Sequence, residues 1–184
     1  SYKLANSFMK EVVARSDFGI DFHDSNKNYI LLPHTRRFDK EYKKVDELSR
    51  FFGTEIVMKR KSRSGLLASE AMRKYKIPVL TVEIGGGMNI RSKYFNDGIR
   101  GLNNVLTFKE MLDGEVQLPE KQFILSDRLG YKSKLEGILT IKKKLGNVIE
   151  KNETVAKVFS PIKEKTSKIK SIFPGILFSV KANS

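Results

Sequence analysis

The run "DFGIDFH" ends on His23, one of only two histidines in a chain of 184 residues. In an extended strand, residues two apart point the same way, so Asp21 and His23 would share a face. A neutral imidazole at a strand tip is a good zinc ligand, and a neighbouring carboxylate can orient its other nitrogen. The plainer alternative is a core histidine bonded to a backbone group. A second candidate lies in "PVLTVEIGGG", where Glu83 interrupts a strand that otherwise wants apolar residues. An unpaired buried carboxylate is costly, so such a residue has a partner or a task. Beside a metal-bound water it would act as a general base; otherwise it would pair with one of the many basic side chains. The glycines that follow allow a tight turn and close approach to a ligand. "GGGMNI" lacks the spacings of a phosphate loop.

These residues need elements to hold them. "YKLANSFMKEVVARS" places Leu4, Phe8 and Val12 on one helical face, with Met9 and Val13 beside it. "DFGIDFH" reads as a short buried strand, and "SNKNYILLPHTRRFD" as a loop-rich link containing Pro33. "KVDELSRFFG" is a brief helix stopping at Gly53 as its C-cap, and "TEIVMK" is a strand. A helix over "GLLASEAMRKYK" ends before Pro78. The strand "PVLTVEIG" follows, then a long amphipathic helix over residues 92–112. Alternating strands and helices predict an α/β fold with a mostly parallel sheet over residues 1–117. From residue 121 the pattern is of short strands only. Residues 118–184 are therefore expected to form a small all-β barrel or sandwich module. Within it "EGILTIK" is weakly echoed by "PGILFSVK", which predicts two similar halves around a shared core.

Composition excludes several classes. There is no cysteine, so neither a disulfide framework nor a thiolate metal site exists. No apolar run reaches the roughly 20 residues that span a bilayer, and the expected location is cytoplasmic. The net charge of +14 raises nucleic-acid binding as an alternative function, through "MKRKSR" and "IKKKLG". Without stacking aromatics or a helix-turn-helix pattern, the solvated lysine-rich surface is the favoured reading. A non-catalytic scaffold is the third class, and a homo-oligomer is compatible with the sequence.

Taken in order, "DFGIDFH", "LLPHTR", "GLLASEAMRKYKIPVLTVEIGGG" and "DGIRGLNNVLTFKEML" resemble the succinylglutamate desuccinylase/aspartoacylase family, relatives of the zinc carboxypeptidases. The resemblance covers nearly the whole chain. It implies part of a carboxypeptidase-like αβα sandwich, followed by the β-rich module. It implies zinc-dependent hydrolysis of the amide bond of an N-acyl amino acid or a related small amide. His23 would be a zinc ligand and Glu83 the base that activates water. His34 and Arg36, in "PHTR", would line the cleft, with Arg36 suited to a substrate carboxylate. The family's other two zinc ligands come from a His-x-x-Glu motif, and no such motif occurs in these 184 residues. A catalytic zinc takes three protein ligands plus water, so the zinc site is expected to be incomplete. The start at Ser1, with a helix first, leads to the expectation that this is the later portion of a longer enzyme, inactive alone. The tail also resembles biotinyl or lipoyl domains, but neither carrier triplet, Met-Lys-Met or Asp-Lys-Ala, is present.

Overall fold

A computed structural model describes residues 2–25, 29–38, 42–85 and 92–181. The elements begin with helix α1 (Tyr2–Glu11), a 3-10 turn (Val13–Arg15) and strands β1 (Gly19–His23), β2 (Tyr29–Leu31) and β3 (His34–Phe38). Next come α2 (Lys43–Phe52), β4 (Ile56–Arg60), α3 (Leu67–Tyr75), β5 (Val79–Glu83), α4 (Ser92–Phe108) and β6 (Phe123–Leu125). The tail holds β7 (Ile138–Ile141), β8 (Val148–Ile149), β9 (Thr154–Ser160), β10 (Lys165–Lys170), β11 (Gly175–Ile176) and β12 (Ser179–Lys181).

The central sheet has the order β1-β5-β3-β4-β6. Three of its pairings are parallel, and β3 runs antiparallel to β5. This is the mixed α/β sheet, mostly parallel, that the alternation of elements predicts. One expectation fails here. The described part of 25–39 is not a loop-rich link: β3 lies in the middle of the sheet, with β2 just before it. Pro33 sits at the joint between the two strands, where its missing N–H costs no ladder bond.

One face of the sheet is covered by α2 and α4. Leu80 and Val82 of β5 meet Val45, Leu48, Phe52 and Val105 there. Gly53 caps α2 in the left-handed region (φ 75) as expected. The close crossing of α2 and α4 depends on Gly101, where a Cβ would stand 2.3 Å from Cε1 of Phe52. That ring is only 1% exposed and has no room to retreat. Gly101→Ala is therefore expected to cost about 1–3 kcal/mol despite alanine's better helix propensity. The urea midpoint of the variant checks this, and an unchanged or higher midpoint would contradict the packing described.

The opposite face carries two apolar groups. Val13, Ala68, Ala71 and Val79 pack together at one end, joined by Met9 and Phe38. At the other, Leu31, Ile56 and Met58 pack against Phe178 from the tail. The helix α1 forms as expected, but it anchors through its Met9 side. Leu4, Phe8 and Val12, the face that the periodicity picks out, are exposed. The long helix ends at Phe108, four residues short of its predicted limit.

Beyond residue 121 all regular elements are strands, among the described residues. They are not self-contained. β6 joins the central sheet beside β4, and β12 pairs with β2. The rest form a three-stranded antiparallel sheet, β10-β9-β7, and the pair β11-β8. The echoed segments fall in different sheets, since β7 pairs with β9 whereas β11 and β12 pair with β8 and β2. All four β7 side chains are exposed, so the echo does not mark a shared core.

Candidate active site

Strand register brings the sequence candidates to one place. His23 lies directly opposite Glu83 across the β1–β5 pairing, and His34 lies opposite Glu83 across β5–β3. Residues opposed in this way share a face, so His23, Glu83 and His34 form one cross-strand row. Asp21, Thr81 and Arg36 form the adjacent row on the same face. The even-numbered neighbours on β5, Leu80 and Val82, go to the helix-covered core instead. On β4 the two rows run on into the apolar Ile56 and Met58.

Glu83 is 4% exposed. Its charge is matched by Arg36, whose Nη2 lies 2.6 Å from Oε1 in an ion pair. The arginine expected to bind substrate is thus also the charge partner of the expected base. His23, about half exposed, donates from Nε2 to Oδ2 of Asp21 at 2.9 Å. This is the orienting contact expected for a carboxylate two residues away, and it leaves Nδ1 as the ring nitrogen open to a ligand.

His34 differs in kind. It is 1% exposed, donates from Nδ1 to the Leu32 carbonyl at 3.0 Å and packs edge-on against Phe178 at 4.8 Å. Burial holds its pKa down to about 4; the bond to Leu32 works against this, while Arg36, Arg60 and Arg128 lower it further. It is a neutral imidazole packed under the site, in place of the cleft-lining residue expected from "PHTR".

Of the glycines after Glu83, Gly85 is described, and Gly86 and Gly87 lie outside the described residues, as does most of "GGGMNI". Gly85 has φ 133, and a Cβ there would stand 2.4 Å from Cδ2 of Tyr94 on α4. The close approach expected of this glycine is thus to the protein's own helix.

Among the described residues, no group of three or more His, Asp or Glu side chains is placed to hold a metal ion. Of the two histidines, His23 has the exposure that a zinc ligand needs. The donors among the described residues therefore do not make up a complete zinc site. Sequence reasoning missed Arg60, which the register places on the same face as Arg36. The apolar positions on both sides of "IVMK" hid which way it points.

Comparisons with known proteins follow the same lines. A curated relative, the N-alpha-acetyl-L-2,4-diaminobutyric acid deacetylase of Halomonas elongata, is 26% identical over 167 residues. That match covers 85% of this chain and 48% of the relative, so the chain spans about half of the relative's length. Among solved structures, the ectoine utilization protein EutE (DoeB) of Ruegeria pomeroyi superposes with a TM-score of 0.81 at 21% identity. It covers 96% of this chain and 59% of that one. A succinylglutamate desuccinylase from Silicibacter sp. TM1040 gives 0.80 at 23%, covering 99% of this chain and 60% of that one. At these identities the two structures speak for the fold. Residues 1–109, more than half of the chain, match the succinylglutamate desuccinylase/aspartoacylase catalytic domain, and the chain belongs to that family.

Proposed function

We propose that this chain carries the proton-transfer and substrate-orienting part of an amide hydrolase acting on an N-acyl amino acid or a closely related small amide. Family membership and the deacetylase relative support the reaction class. The observation that carries the reading is the buried carboxylate of Glu83, set between His23 and His34 and held by Arg36 at 2.6 Å.

Glu83 is the general base. With Oε1 held by Arg36, Oε2 takes a proton from the attacking water and then passes it to the leaving nitrogen. Held in this way, the carboxylate needs no reorientation before it acts. His23 offers Nδ1 as one zinc ligand, its ring fixed by Asp21. The described residues do not supply the other two ligands, so the work assigned to this chain is proton transfer and orientation.

A polypeptide of these 184 residues is expected to hold well under one zinc per chain and to show no amide hydrolysis by itself. Metal analysis after dialysis, together with an assay on N-acetyl amino acids, tests this. Stoichiometric zinc with full turnover would show that the site lies elsewhere.

A further inference from the structure

We propose that the free edge of β7 is the contact through which two copies of this chain pair, strand against strand, about a twofold axis at Thr140. The inference stands apart from the hydrolase reading. β7 is the outer strand of the sheet β10-β9-β7. Lys142 donates its backbone N–H to the Val155 carbonyl, so Ile138 and Thr140, two and four residues back, also turn their backbone groups towards β9. Leu139 and Ile141 point theirs outward, where no backbone partner meets them among the described residues. Their side chains are left open in the same way. They lie opposite Val158 and Ala156, which are buried, yet are themselves 47% and 37% exposed. A further strand beyond β7 would extend those rows and cover them. Between 138 and 141 there is no proline, bulge or charged residue to keep such a strand away.

The charges at the two ends of β7 identify the occupant. Glu136 precedes the strand, and Lys142 and Lys144 follow it. All three are exposed and take part in no ion pair among the described residues, whereas Lys143 is held by Glu153. An antiparallel copy sets each end of β7 against the opposite end of its neighbour; a parallel copy would set like charges together. With the axis at Thr140, Leu139 faces Ile141 of the second copy, and the two exchange backbone bonds. Thr140 faces its own equivalent. The same register puts Glu136 opposite Lys144 of the second copy, with Lys142 diagonal to it. Every one of these contacts off the axis occurs twice, as an isologous interface requires. The two sheets become one of six strands, and the outward N–H and C=O groups of both edges are satisfied.

Sedimentation equilibrium of the whole chain should show a monomer–dimer equilibrium with a Kd on the order of 10 µM, weak because one short strand per copy takes part. Glu136→Lys should weaken it about tenfold or more, since two attractions become two repulsions. Adding Lys144→Glu returns the wild-type net charge and should bring the Kd back to within about threefold. Leu139→Pro removes an outward N–H, which an edge strand tolerates, and should abolish pairing. Disulfide trapping reads the register. The chain has no cysteine, so Thr140→Cys carries a single thiol facing its equivalent, at a Cα separation of about 4.5 Å. Mild oxidation should link it into dimers. Ile138→Cys is on the same face and exposed, but its equivalent would lie four residues along the strand, about 13 Å away, and it should stay unlinked. A chain still monomeric at about 100 µM would overturn the pairing. So would a dimer that Glu136→Lys leaves intact. Should Leu139→Pro fail to fold, the cysteine variants decide: linkage of Thr140→Cys alone supports the pairing, and linkage of both or neither overturns it.

Discussion

In the full-length enzyme of which this chain is proposed to be the proton-transfer part, Glu83→Gln should lower kcat for amide hydrolysis by about 10²–10⁴-fold, the span for losing a general base. The amide is nearly isosteric with the carboxylate but cannot accept a proton from water. Steady-state kinetics should place the loss in kcat, with KM little changed, because substrate orientation is assigned to Arg36 and its neighbours. The variant also separates Arg36 from its charge partner. A fully buried pair broken in this way costs about 3–5 kcal/mol, but a third of Arg36 is exposed, so about 1–2 kcal/mol is expected. Circular dichroism should therefore show a folded protein. Retention of turnover within about tenfold of wild type would remove Glu83 from the base's role, and with it the proposed reaction scheme. A scaffold or nucleic-acid-binding protein would have no turnover to lose.

Stability should fall as pH drops from about 6.5 towards 4, and His34 is the reason. Its folded pKa is about 4, against an ordinary value of 6.5, mainly because burial disfavours the imidazolium. In that window the unfolded chain binds a proton that the folded protein refuses. Protonation therefore favours unfolding progressively, starting near 6.5 and complete once pH passes below the folded value. At about 1.4 kcal/mol per pH unit, the gap from 6.5 to about 4 comes to about 3 kcal/mol in full. About 2 kcal/mol of it should be gone by pH 5. The guanidiniums of Arg36, Arg60 and Arg128 act in the same direction, since each repels a charged ring. Carboxylates do not confuse the window. Glu70, held down to about 2 chiefly by its bond from Arg73, and Glu153, lowered chiefly by Lys143, lose their contributions only below about 4.5. Urea unfolding at pH 7.5 and pH 5 measures the difference. His34→Gln keeps a polar side chain that cannot titrate, and its stability should change by less than half as much over the same interval. Equal pH dependence in the two proteins would mean that the buried ring is not the group responsible.

Much of the site was legible locally because alternation along a strand is a local property. Asp21 and His23 had to share a face once 19–23 was a strand, and they do, with a 2.9 Å bond between them. Glu83 stood out because it broke an apolar run, and Gly53 because a helix pattern stopped there. Where local signals were weak, the reading erred. Pro33 and its polar neighbours made 25–39 look like a link, although β3 is the strand that brings His34 and Arg36 to Glu83. The Leu4–Phe8–Val12 stripe correctly announced a helix, but periodicity does not say which surface, if any, will cover it.

Neighbour relations were settled only in three dimensions. Nothing along the chain says that β5 lies between β1 and β3, because strand pairing is made by hydrogen bonds between segments far apart in sequence. That order turns three scattered residues into one row, with an ion pair from Glu83 to Arg36 in the row beside it. It also turns Arg60 from one member of a basic cluster into a neighbour of Arg36 on the site face. Residue type and spacing determined which side chains were able to do chemistry; the register of the sheet decided which of them meet.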